Sequence, residues 1–166
     1  MDPNNHPRIK EAATHSDLIV IGQVIRSTSA FTERAGFIFT DSEVLIERVI
    51  AQSAEDKSRG PLAANSEITV TSPGGIMSVE GHRVSAFLAN EVALRANGRY
   101  ILFLKFLPES NSYKRVDLQG FDISEPTPQQ LRRGMPNPLS GLTSAAMLNA
   151  IESSVSLSSH SPWKSP

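Results

Sequence analysis

The chain has 166 residues, of which 39% are hydrophobic, with 16 basic against 17 acidic side chains and a formal net charge of -1. That balance gives no field to draw in a polyanion or an anionic membrane, so nucleic acid is not the expected partner. With no cysteine, a disulfide framework, a thiol nucleophile and cysteine-ligated metal sites are all excluded.

The one Trp, two Tyr and seven Phe are dispersed without basic interleaving, which argues against stacking on single strands. Met1 to His6 lack the basic start and apolar run of a signal peptide. The expectation is a cytoplasmic protein, or an exported one if a leader was removed before Met1. The longest apolar run, Leu18–Ile21, is too short to span a membrane.

Arg8–His15 is long enough for one or two helical turns that must lean on a larger body. Leu18–Arg26 is rich in β-branched residues and reads as a buried strand, in which Gly22 marks a bulge or sharp coil. Phe37–Ile50 is the longest strand. Its Ser42, Val44 and Ile46 share one face and its Asp41, Glu43 and Glu47 the other, with a bulge expected near Glu47–Arg48 where the alternation slips. Ala51–Asn65 has no periodicity and is expected as an exposed, mobile loop.

Glu67–Thr71 is a short strand closed by Ser72-Pro73-Gly74-Gly75, where the glycines permit positive φ. Met77–Phe87 is a hairpin turning at Glu80-Gly81. Arg99–Phe106 is apolar enough to be a central strand covered on both faces over part of its length, and Tyr113–Asp117 and Gly120–Ile123 complete the sheet. Pro126, Pro128, Pro136 and Pro138 then change the composition and bar the segment from a sheet interior. The predicted organisation is a β domain over 1–124 and a Pro/Ser-rich flexible tail over 125–166. That tail carries a short helix at 140–152 and a disordered end beyond Ser153.

No residue set forms a chemical signature. His15, His82 and His160 lack partners at metal-ligand spacing, so neither a metal nor a cofactor is expected. Gly74-Gly75 has neither the lysine nor the helix of a phosphate loop, and Ser72 lacks the context of a nucleophile elbow.

The run Asp17–Val24, the Thr40-Asp41 strand to Val49, Ile68–Gly75 and Arg99–Leu104 resemble a family of uncharacterised bacterial domains. That family is in turn similar to the OB-like barrel of the netrin and tissue-inhibitor-of-metalloproteinases type. The resemblance, over residues 13 to 124, implies a mainly β, OB-like closed or partly open barrel of five to seven strands, and no catalytic residues. The inhibitors depend on an N-terminal cysteine and disulfides that this chain lacks, so only the scaffold is implied.

The leading expectation is a non-enzymatic domain that binds an unidentified protein or small ligand through rim loops at Thr28–Gly36, Ala51–Asn65 and Gly74–Val79. Phe31, Arg34, Phe37, Pro73, Gly74, Gly75 and His82 are its candidate contact residues. The alternative is a hydrolase-like enzyme using Asp41, Glu43 or His82. A third reading is a carrier or structural protein whose tail helix packs on a partner.

Overall fold

The computed structural model describes residues 5–32, 36–88, 91–134 and 136–158. A long antiparallel hairpin of β1 (Leu18–Thr32) and β2 (Phe37–Gln52) is followed by β3 (Glu67–Pro73), which pairs with β2. After a separate two-stranded sheet of β4 (Gly75–Val79) and β5 (His82–Ala86), the chain returns as β6 (Arg99–Leu107) and β7 (Ser112–Asp122). The strand order β3-β2-β1-β6-β7 closes on itself where β3 meets β7 in parallel at Val70 and Tyr113. The result is a mainly β, OB-like ring of five strands.

Period-two alternation divides the apolar residues between two cores. Leu18, Val20 and Val24 of β1, Val44 and Ile46 of β2, Ile68 and Val70 of β3 and Tyr100, Leu102 and Leu104 of β6 fill the ring. The intervening Ile19, Ile21, Ile101 and Phe103 point outward. They are covered by α1 (Pro7–His15) and α3 (Ser144–Ser158), which supply Ile9, Ala12, Ala13, Met147, Ala150, Ile151 and Val155. Burial on both faces explains why β1 and β6 read as nearly continuous apolar runs.

Two glycines let the strands curl tightly enough to close. At Gly22 a Cβ would collide with the Val44 side chain, and the register of β1 against β2 slips beside it, skipping Glu47. The bulges expected near Gly22 and Glu47 are this one feature. At Gly120, φ is +130° and a Cβ would strike the Ile101 carbonyl. There β7 kinks, and Tyr113–Asp117 and Gly120–Asp122 belong to one bent strand.

Three expectations need correction. Ala51–Asn65 is not a mobile loop: β2 runs to Gln52 and α2 (Ala54–Arg59) follows, with the Ser53 hydroxyl accepting from the Asp56 amide. Ser53 as N-cap with Glu55 and Asp56 in the first turn is a helix start that aperiodicity hid. Thr28–Thr32 is strand, because Ser and Thr pair across the ribbon as readily as apolar residues.

The third correction concerns the C-terminal region. The helix starts at Ser144 and continues past Ser153 to Ser158, docked on α1 through an apolar stripe; the remainder of the end expected to be disordered, 159–166, lies outside the described residues. The proline-rich stretch before it contributes β8 (Gln129–Gln130), paired to the edge of β7, and two fully buried leucines, Leu131 and Leu139. Among the described residues no helix is long and apolar enough to cross a membrane.

α2 is tied to the ring by one buried carboxylate. Asp56 is 1% exposed and accepts from the Tyr113 hydroxyl at 3.0 and 2.9 Å, from Gln52 Nε2 at 2.8 Å and from Arg59 Nη2 at 2.7 Å. Removing one side of such a pair leaves several donors unpaired, so Asp56→Ala should cost about 3–5 kcal/mol in urea unfolding. Burial, and then the bond to Asp56, raises the Tyr113 hydroxyl above its ordinary pKa. The folded state therefore holds this proton more tightly than the unfolded chain does. The associated stability is complete below about pH 10 and falls as the pH rises further. Tyr113→Phe should be less stable than the parent by about 1–2 kcal/mol at pH 7, and the gap should narrow above pH 10.

Candidate functional site

The interior of the ring changes character along its axis. On three strands the inward positions pass from apolar to hydroxyl: Ile46 and Val44 to Ser42 and Thr40 on β2, Ile68 and Val70 to Ser72 on β3, and Val24 to Ser27 and Ser29 on β1. Cross-strand register sets these hydroxyls side by side, Ser27 opposite Ser42, Ser29 opposite Thr40 and Thr40 opposite Ser72. Since Val70 is level with Tyr113 in the parallel pair, two residues further on Ser72 comes level with Arg115.

These side chains form the polar wall of a cleft of about 220 Å³ at the mouth of the ring. Opposite stand Ile76 from β4, Phe87 and Leu88 just after β5, and Ala93 and Leu94 from the segment leading to β6. The cleft is thus amphipathic, as ligand pockets commonly are.

Most of the hydroxyls are engaged with one another. Thr40 Oγ1 donates to the Gly74 carbonyl at 2.7 Å, so at its 2.8 Å contact with Ser29 it is the acceptor. Ser27 and Ser42 stand 3.3 Å apart. Ser72 differs: its Oγ is buried with no hydrogen-bond partner. A buried hydroxyl without a partner carries a desolvation cost that nothing in the fold repays.

Arg115 is the buried cation of the site, its side chain only 4% exposed. Nη1 donates to the Val92 carbonyl at 2.8 Å, whereas Nη2 lies 3.8 Å from Glu91 Oε2, beyond hydrogen-bond length. Glu91 is held instead through Oε1, which accepts from Gln119 Nε2 at 3.1 Å. Burial lowers the Arg115 pKa, and the Glu91 carboxylate opposes that shift. The guanidinium remains charged, and its charge is loosely matched.

Gly74 and Gly75 set how closely the β4–β5 hairpin approaches this wall. Their φ values are +99° and +150°, and a Cβ on Gly75 would run into Thr40 Oγ1 and Ser29 Oγ. Every residue of the hairpin is exposed or half-buried. All six large hydrophobic side chains exposed among the described residues, Phe31, Ile76, Val79, Val84, Phe87 and Leu88, lie on it, directly after it, or at the end of β1 beside it.

Of the sequence-derived contact residues, Pro73, Gly74 and Gly75 line the cleft. Phe31, 51% exposed, and Phe37, edge-on to Phe39, lie on the β1–β2 ribbon and do not line it. His82 is exposed at the turn of the hairpin, and Arg34 is outside the described residues. Asp41, Glu43 and His82 do not line the cleft either. Asp41 accepts from the Thr71 hydroxyl at 2.7 Å and Glu43 from Thr69 at 3.0 Å across the sheet. Among the described residues no three histidine or carboxylate side chains converge as a metal-binding group.

Sequence reasoning missed Glu91, Arg115 and the hydroxyl layer. The hydroxyl layer did leave a signal, because Ser and Thr take over the inward phase of three strands. Compared with protein-family models and with curated proteins, the chain matches none.

Ser72→Ala should leave stability unchanged or raise it by up to about 1 kcal/mol, because it removes a polar atom that has no partner. Thr40→Val should cost about 1–2 kcal/mol, because it strands the Gly74 carbonyl and the Ser29 hydroxyl. Urea unfolding of the two variants checks the pair, and a Ser72→Ala cost exceeding that of Thr40→Val would contradict this reading of the wall.

Proposed function

We propose that this chain is a non-enzymatic binding module that takes a small ligand with an apolar body into the cleft at the mouth of its ring. One observation carries the reading: a wall of hydroxyls and one buried cation faces apolar side chains across a cavity of about 220 Å³. An engineered apolar cavity of about 150 Å³ already admits benzene. A ligand somewhat larger than that fits here.

The absence of acid–base pairing within the cleft favours binding over catalysis. Among the described residues its ionisable side chains are Glu91 and Arg115, and Ser72 Oγ, the hydroxyl of the wall that has no partner, is hydrogen-bonded to neither. The scaffold we infer is that of the netrin and tissue-inhibitor-of-metalloproteinases type without its cysteines. The strand order, with its parallel closure of β3 on β7, supports this.

Titration with 3-methylbutan-1-ol, a neutral probe with an isopropyl body and one hydroxyl, tests the proposal by two-dimensional amide NMR. Saturable shifts are expected at Ser72–Ile76 and Phe87–Leu88, and Ile76→Asp should abolish them while leaving the rest of the spectrum intact. Shifts that do not saturate, or that spread evenly over the surface, would count against it.

A further inference from the structure

The charges in the cleft narrow the chemistry of the ligand. A bare carboxylate would be drawn to Arg115 and repelled by Glu91, and a bare amine would meet the reverse. Since both charged groups line the same cavity, a ligand carrying both signs at short separation satisfies both. The two side chains are 3.8 Å apart without a hydrogen bond between them, so a dipolar ligand need not break a tight ion pair to bind.

We propose, building on the binding-module reading, that the cleft recognises a free apolar α-amino acid of the size of leucine. Its carboxylate is taken by the Arg115 guanidinium and the Ser72 hydroxyl, its ammonium by Glu91, and its side chain by Ile76, Phe87 and Leu94. Two observations leave these groups available. Arg115 is 4% exposed and its neighbouring carboxylate, Glu91, stands 3.8 Å away, beyond hydrogen-bond length, Ser72 Oγ is buried and unpartnered, and Glu91 Oε2 lies free of a hydrogen bond to Arg115. Supplying the missing partners to buried polar groups is what discriminates sharply between ligands, because an analogue lacking one charge leaves a group unpaired. The hairpin that carries Ile76 has no fully buried residue, which suits it to yield when a ligand enters.

Isothermal titration of the full chain with leucine, N-acetyl-leucine, leucinamide and 3-methylbutan-1-ol separates the contributions. Leucine should bind about tenfold or more tighter than each of the other three. Glu91→Gln should weaken leucine about tenfold and strengthen N-acetyl-leucine, since it removes an attraction for the first and a repulsion for the second. Ser72→Ala, which retains the fold, should weaken leucine and N-acetyl-leucine by similar factors and leave leucinamide unchanged. If the alcohol binds as well as leucine, the amino-acid inference fails and the cleft reading stands. If none of the four binds, both fail. A Glu91→Gln variant in which leucine and N-acetyl-leucine change in parallel would also overturn the inference.

Discussion

Everything at the mouth of this domain depends on the closure of a five-stranded ring through a short parallel contact between β3 and β7 at Val70 and Tyr113. Parallel pairing over so few residues contributes little by itself. Elements on either side hold it in place. Below it, the Tyr113 hydroxyl is bound to the buried Asp56, so α2 pins β7 to the end of β2. Above it, Ser72 and Arg115 are brought level across the gap, and they can form one wall only if the ring is shut. Gly22 and Gly120 make the closure sterically feasible, since a side chain at either would collide with the neighbouring strand.

The ring needs no covalent staple because it is buried twice. Its interior is filled by one set of alternating residues, and the opposite set on β1 and β6 is sealed beneath α1 and α3. Those helices stand on the outside of the sheet and are absent from the cleft lining, so the scaffold is stabilised far from the site it presents. The β4–β5 hairpin has the opposite character. A two-stranded sheet is marginally stable alone, and this one rests on β1 and β2 without burying any side chain completely. Rigidity in the ring and looseness in its cover are the division of labour expected of a binding scaffold.

Much of the fold is legible in the sequence because strand alternation and glycine placement are local. The inward phase of Ser42, Val44 and Ile46, the bulge opposite Gly22, the turn at Glu80-Gly81 and the two-sided burial of Tyr100–Leu104 all follow from short stretches read in isolation. The helix of Ala54–Arg59 was equally local, signalled by Ser53 and the acids after it, but a Gly-Pro and Ser-rich context masked it. What local reading could not supply was register. Arg115 and Glu91 are 24 positions apart in the chain, and only the kink at Gln119-Gly120 and the return of the chain through Val92 bring them to one cavity. The docking of residues 144–158 likewise depends on the outward faces of strands far earlier in the chain.

Amide hydrogen exchange read by mass spectrometry on the intact chain tests ring closure most directly. With the ring closed, residues 67–73 and 112–116 exchange about as slowly as β1 and β6, while residues 75–86 exchange orders of magnitude faster. If residues 67–73 exchange as fast as the hairpin, the β3–β7 contact does not hold, and the wall that joins Ser72 to Arg115 does not exist in solution.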